Sequence, residues 1–171
     1  MLKHLAFLAA FASAPLAAQT GTVSASDPAG LVALFEAAGY SPELSTDSYD
    51  DPLITLELDG AFIDVIFYGC SEEDHTGCDA IQFSAGFDAP DGITPQTALE
   101  ISSKFRFASV SLDDENDPFI RWDVVTGDGI PASVMLQSLR LFEDTLVDAS
   151  AMIFPEEEAT AAATGIAVRL P

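Results

Sequence analysis

Residues 54–68, with the sequence ITLELDGAFIDVIFY, decide the fold. The first half of this stretch alternates apolar and polar residues, which is the period of a half-buried strand. The pair Asp59-Gly60 that follows is typical of a tight hairpin turn. The returning segment 61–68 is apolar at alternate positions and partly apolar at the others, so its second face should be partly covered. The stretch therefore predicts an antiparallel hairpin.

Three further segments have the pattern of strands. Residues 81–85 follow the hairpin after a loop and should extend it into an antiparallel meander. Residues 107–112 and 119–125 predict two more strands, which are joined by a turn at 113–118. The chain is therefore expected to form one antiparallel sheet of about five strands.

Three helices are predicted from their starting residues and their apolar faces. Asp27-Pro28 and Thr94-Pro95 each combine a capping side chain with a proline in the first turn, where the missing N–H costs nothing. A third, long helix should begin near Pro131. The residues expected on the apolar faces are, in chain order, Leu31, Leu34, Phe35 and Ala38, then Ala98, Ile101 and Phe105, then Met135, Leu139, Phe142, Leu146 and Ile153. Helices packed on an antiparallel sheet make the predicted fold class α+β.

The chain divides into three parts by composition. Residues 1–18 have a basic start, an apolar stretch and small residues before the expected cleavage after Ala18, which are the features of a secretory signal. The apolar stretch is shorter than a spanning helix requires, so no membrane insertion is expected after cleavage. Residues 19–154 are predicted to form one domain, and residues 155–171, rich in Glu, Ala and Thr, a flexible tail. We expect a periplasmic or secreted protein.

The charge of the chain limits its partners. Among 171 residues, 28 are Asp or Glu and 6 are Lys or Arg, so the formal net charge is -22. This charge repels phosphate backbones and anionic membrane surfaces, which argues against nucleic-acid binding. A cationic protein, a basic peptide or a divalent cation remains compatible with it.

Cys70 and Cys78 lie between the ends of two strands that are predicted to be neighbours. In an exported protein such a pair is expected to form a disulfide, which would stabilise the fold by about 2 to 3 kcal/mol. Two alternatives stay open. A metal site could use both thiols with His75 and Asp74, or the pair could be free or redox-active, although the spacing is not that of a thiol oxidoreductase.

Residues that would carry catalysis are scarce. His75 is the only histidine that remains after removal of the signal, and we interpret it as an exposed loop residue. The chain has no Gly-x-Ser-x-Gly motif and no glycine-rich phosphate-binding motif. We therefore predict no enzymatic activity and no cofactor.

Asp113, Glu115 and Asp117 alternate like the start of a calcium-binding loop. Pro118 and Val124 stand where such a loop needs glycine and glutamate. A hairpin turn is the simpler interpretation, and the three residues remain a lower-ranked alternative for a divalent cation.

One strand carries the candidate residues for partner binding. Trp122 should face the core, so Phe119, Arg121 and Asp123 should share the opposite face. Two interpretations fit these three residues. They could mark a groove that binds a peptide, or Arg121 could form a cross-strand ion pair, which we favour.

Several segments resemble a known family. Four segments are similar to the YbjN family, which is also described as proposed bacterial sensory transduction regulators: residues 40–47 (YSPELSTD), 67–70 (FYGC), 81–88 (IQFSAGFD) and 111–125 (SLDDENDPFIRWDVV). The second helix, around residues 102–106, departs from the family pattern. The resemblance implies a fold similar to the small α+β chaperones of type III secretion, with no established enzymatic activity or cofactor.

Together these observations predict an exported, non-enzymatic binding or regulatory module. It would engage an unknown protein partner in the bacterial envelope, through its sheet or a sheet edge. A divalent-cation-binding envelope protein is the alternative.

Overall fold

The computed structural model describes residues 21–58 and 61–155. The predicted signal, the Asp59-Gly60 turn and the predicted tail beyond Pro155 lie outside these residues and stay predictions. In chain order the elements are β1 Thr22–Val23, α1 Pro28–Ala37, β2 Pro42–Thr46, β3 Pro52–Leu58, β4 Ala61–Tyr68, β5 Ala80–Gly86, α2 Pro95–Lys104, β6 Ser109–Leu112, β7 Pro118–Val125, β8 Ile130–Pro131 and α3 Ala132–Ile153.

The main sheet has six antiparallel strands in the order β2-β3-β4-β5-β7-β6. The predicted hairpin is confirmed by its register, in which Ile54 lies opposite Val65 and Leu58 opposite Ala61. The first four strands form a meander because each follows its neighbour through a short loop. The chain then passes through α2 and returns as β6 and β7, and β7 pairs with β5. The α+β prediction is confirmed.

The prediction of about five strands was too low. Residues 42–46 form the edge strand β2, although their sequence PELST indicated only a polar stretch. Four of these five residues are exposed, so the strand has no buried face to give it an apolar alternation. Its backbone pairing with β3 defines it instead. A separate two-stranded sheet, β1 with β8, was also not predicted.

All three helices pack on one face of the main sheet and share one core with it. From the sheet, alternate residues of the central strands contribute fully buried side chains, among them Ile63, Val65 and Phe83. Phe142 of α3 stacks on Phe83 with ring centroids 5.7 Å apart, and its ring meets Trp122 edge-on at 6.5 Å. Trp122 therefore faces the core, as predicted.

The helix starts follow the predicted chemistry. The Asp27 carboxylate accepts a hydrogen bond from the Gly30 N–H at 3.0 Å, and the Thr94 hydroxyl accepts one from the Thr97 N–H at 3.1 Å. At the end of α1, Ala38 was predicted to face the core but is exposed. The helix ends at Ala37, and the chain turns away at Gly39, whose φ is +98°.

The small sheet is joined to the main sheet through Thr126. This buried threonine accepts a hydrogen bond from the Ala25 N–H at 2.9 Å and donates one to the Asp79 carbonyl at 3.0 Å. The Asp79 carbonyl also accepts from the N–H groups of Thr126 and Gly127, both at 2.9 Å. One side chain thus connects the N-terminal segment, the start of β5 and the end of β7.

Across the part of the chain that the structure describes, no helix combines the length and the apolar composition needed to cross a membrane.

Replacing Thr126 with Val should lower the free energy of unfolding by about 1 to 3 kcal/mol, because the buried Ala25 N–H loses its acceptor while the side-chain shape is kept. Chemical denaturation followed by circular dichroism measures this change. Thr46→Val, on the exposed edge strand, is the matched control and should stay within about 0.5 kcal/mol of the parent. Equal effects of the two substitutions would contradict the role assigned to Thr126.

Candidate functional site

The face of the main sheet that points away from the helices is the candidate site. We call it the outer face and define it by the residues that alternate with the core positions of β3, β4, β5 and β7. Its apolar members are half-buried or exposed, and none belongs to the core: Leu53, Phe62, Ile66, Tyr68, Phe119 and Val125. Phe62 and Val125 keep 62% and 75% of their surface exposed. The second face of β4 was predicted to be partly covered because it is partly apolar, but none of the described helices covers it and Phe62 is largely exposed.

Polar residues on the outer face bond to one another across the strands. The Thr55 hydroxyl donates to the Asp64 carboxylate at 2.9 Å, and the Gln82 amide donates to the Asp123 carboxylate at 2.8 Å. These bonds join β3 to β4 and β5 to β7. They hold the carboxylates in place on the face without neutralising them.

The three residues predicted to bind a partner, Phe119, Arg121 and Asp123, all lie on the outer face. The favoured ion pair is wrong, since Arg121 pairs with no carboxylate in the described residues. Its guanidinium carbon lies 5.6 Å from the centre of the Phe119 ring, and its buried Nε has no hydrogen-bond partner there. The cross-strand neighbours of Arg121 are Ser84 and Ser109, so the register places no acid opposite it. A role of Phe119, Arg121 and Asp123 in partner binding stays a prediction.

Cys70 and Cys78 form the predicted disulfide. Cys78 is only 2% exposed, whereas the loop between the two cysteines is largely solvent-accessible. Two backbone hydrogen bonds shape this loop, from the Ser71 N–H to the Thr76 carbonyl at 2.8 Å and from the His75 N–H to the Ser71 carbonyl at 2.9 Å. Because both sulfurs are bonded to each other, the alternative metal site made of these thiols and His75 is not assembled.

His75 contacts a residue far away in the sequence. Its Nδ1 lies 2.9 Å from an oxygen of Asp51, at the start of β3, 24 residues earlier in the chain. The acidic neighbours of His75 in the sequence gave no indication of this pair. Beside it a cavity of about 260 Å³ is lined by Tyr49, Cys70 and Glu72 as well as the pair. Within the same loop, the hydroxyls of Ser71 and Thr76 hold the pKa of Asp74 below its usual value.

In the turn at 113–117, the carboxylates of Asp113 and Asp117 accept hydrogen bonds from backbone N–H groups. Asp113 accepts from the N–H groups of Glu115 and Asp117, both at 2.9 Å, and Asp117 accepts from the Ala89 N–H at 2.9 Å. Asn116 has a φ of +66°, which suits the sharp turn. The turn thereby joins β7 to the segment after β5. Asp113, Glu115 and Asp117 are not gathered as ligands, and the described ranges contain no cluster of three metal-ligating side chains.

Glu143 of α3 is a partly buried acid that the sequence did not single out. Burial raises the pKa of Glu143, and the nearby Asp144 adds to this effect, while the Tyr40 hydroxyl and Arg140 oppose it. Burial and the Glu143 carboxylate together raise the pKa of Tyr40 to about 12. The buried Oε1 of Glu143 has no hydrogen-bond partner among the described residues. This pair lies on the helical side of the sheet, away from the outer face.

Fold and surface together define a class of protein: an α+β domain in which the described helices cover one face of the sheet and leave the other uncovered. The family model of YbjN, described as "Putative bacterial sensory transduction regulator", matches residues 27–154. The chain belongs to the YbjN family. It is a regulator-type family rather than a known family of enzymes. No curated protein and no solved structure matches the chain.

Replacing both Cys70 and Cys78 with Ser should lower the free energy of unfolding by about 2 to 3 kcal/mol, because the unfolded chain loses a cross-link. Thermal unfolding with and without dithiothreitol measures the effect. Reductant should lower the melting temperature of the parent protein and leave that of the double variant unchanged. A parent protein insensitive to reductant would contradict the stabilising role of the bond.

Glu143→Gln should change how stability depends on pH. Because the folded state raises the pKa of Glu143, this residue favours folding most strongly below its unfolded pKa of about 4.3, and that contribution is lost as the pH rises through the folded pKa. The free energy of unfolding of the variant, relative to the parent, should therefore increase from acidic to neutral pH. Denaturant titrations at several pH values measure it. Glu36→Gln, at an exposed site on α1, is the control, and a parallel increase there would contradict the explanation.

Proposed function

We propose that this protein is an exported, non-catalytic regulatory module that binds a protein partner on its outer face. Membership of a regulator-type family supports the regulatory part of this proposal. The observation that carries the binding part is the open apolar face of the sheet, which no described helix covers. Such a face gives the protein a broad, preformed surface rather than a deep reaction pocket.

The exposed apolar side chains of the outer face favour a protein partner. Phe62, Tyr68 and Val125 are large and exposed, and Leu53 and Ile66, which lie opposite each other on β3 and β4, are half-buried. Soluble monomers rarely leave large apolar patches open, and aromatic side chains are enriched at protein interfaces. Burial of these residues against a partner would remove apolar surface from water at about 25 cal/mol per Å².

The charge of the outer face favours a basic partner. Glu57, Asp64 and Asp123 occupy positions on the outer face, against one cation there, Arg121. Within a chain of net charge -22 this arrangement repels acidic surfaces and attracts basic ones. Association should therefore slow and weaken as the salt concentration rises.

The disulfide supports a location outside the cytoplasm. Bonds of this kind persist in oxidising compartments such as the periplasm. The signal expected in residues 1–18 would direct the chain there. We therefore assign the binding event to the cell envelope or the exterior.

A photo-crosslinking amino acid placed at position 62 in the producing bacterium should yield one adduct of defined mass, because Phe62 would lie in the interface. Leu99 on α2 is the matched control site, since both residues are 62% exposed and Leu99 lies on the helical side. Gel electrophoresis and mass spectrometry identify the adducts, and the purified partner should then bind the parent protein more tightly than a Phe62→Ser variant. Equal adducts from positions 62 and 99 would contradict the proposal. An adduct from position 44, on the edge strand β2, but none from position 62 would indicate that the partner binds by adding a strand at β2 and not on the outer face.

A further inference from the structure

A hollow of about 290 Å³ opens on the outer face at the end of β5. Gly86 is one of the lining residues of this hollow, and its lack of a side chain lets the Phe119 ring lie against β5. A Cβ atom at that position would lie 2.8 Å from Cε1 of Phe119, on the neighbouring strand β7. The backbone of Gly86 does not have a positive φ, so the glycine is required for space rather than for conformation.

The walls of the hollow are apolar and aromatic. Phe62 and Phe119 line it from β4 and β7, and the buried side chains of Phe87, just after β5, and Leu146, on α3, also contribute to its lining. An inserted side chain would therefore meet aromatic rings on two strands. This composition is typical of a pocket that takes one anchoring side chain of a partner.

The rim of the hollow is acidic. Asp64 and Asp88 are both among its lining residues. One oxygen of Asp64 accepts the Thr55 hydroxyl, which holds the carboxylate in position at 2.9 Å, and Asp88 is exposed. Arg121 does not line the hollow and lies over Phe119 from a neighbouring position of β7. The hollow therefore combines apolar walls with two carboxylates that have no basic residue between them among its lining residues.

We propose that this hollow receives a lysine or arginine side chain of the protein partner. The inference rests on the proposed function and names the chemistry that its interface would recognise. The aliphatic stem of the basic side chain would pack on Phe62 and Phe119, and its charged head would reach Asp64 and Asp88. The ring of Phe62 would add a cation–π attraction, whereas the ring of Phe119 already carries Arg121. A neutral apolar side chain would pack against the apolar walls but leave the carboxylates unpaired. An acidic side chain would be repelled.

Three matched peptides test this proposal on the full-length protein. They share the acetylated, amidated sequence Thr-Val-Xaa-Val-Thr, in which Xaa is Lys, norleucine or Glu, so that the Lys and norleucine peptides differ by the charged amine. Amide chemical shifts in nuclear magnetic resonance titrations report both the affinity and the place of binding. The Lys peptide should shift the amides of Phe62, Gly86 and Asp88 and bind about fivefold or more tighter than the norleucine peptide, and the Glu peptide should not bind.

Variants then locate the interaction. Asp64→Asn combined with Asp88→Asn should remove most of the preference for Lys over norleucine, and Gly86→Ala should weaken both peptides because its Cβ would displace the Phe119 ring that lines the hollow. Asp148→Asn, on the exposed side of α3, is the matched charge control and should leave affinity unchanged.

Each contrary result has a distinct meaning. Equal binding of the Lys and norleucine peptides would overturn the basic-side-chain proposal while leaving an apolar interface on the outer face. Shifts spread over the acidic surface, with equal losses in the Asp148 variant, would overturn it as non-specific charge attraction. Selective binding of the Lys peptide at Gly86 together with no crosslink at position 62 in the cell would support the hollow as a site for basic side chains. It would refute the proposal that a protein partner covers the wider outer face.

Discussion

The packing of α3 against the inner face of β5 and β7 is the constraint on which the rest of the structure depends. Phe142 of α3 stacks on Phe83 of β5 and contacts Trp122 of β7, so one helix packs on both strands of this pair. This pairing connects the meander to the returning strands β6 and β7. The three described helices all pack on that same face, so none of them covers the other face. The same helix packing therefore forms the core and leaves the candidate binding surface exposed.

One end of the sheet is held by a dense set of links. The Cys70–Cys78 disulfide closes the loop between β4 and β5, and the Asp79 carbonyl accepts hydrogen bonds from the Thr126 hydroxyl and from two backbone N–H groups. The His75–Asp51 contact ties the same loop to the start of β3. These links order the loop beside the outer face, so a partner would meet a surface whose shape is set before binding. Preformed surfaces lose less entropy on association.

The electrostatics of the outer face come from the register rather than from sequence neighbours. The sequence favoured a cross-strand ion pair for Arg121, but Ser84 and Ser109 lie opposite it. Asp123 accepts a hydrogen bond from Gln82. Arg121 instead lies over the ring of Phe119. Asp64 lies opposite Ser84, on the far side of β5 from Arg121, and Asp88 follows the end of β5. The position of each charge on the face is therefore set by which strands are neighbours.

The amino-acid sequence by itself determined the class of fold, the helix starts, the hairpin and the cysteine pair, because each is set by local chemistry: alternation in 54–68, the capping residues Asp27 and Thr94, and two cysteines at adjacent strand ends. The inference from the sequence that the second face of β4 is partly covered was wrong, because the described helices all pack on the other face. Only the tertiary structure decided the edge strand β2, whose exposed residues leave no hydrophobic period. Contacts across long separations, such as His75 with Asp51, and the hollow above Gly86 were likewise beyond the sequence. They depend on which strands become neighbours and in what register, and one chain's residue pattern does not encode that directly.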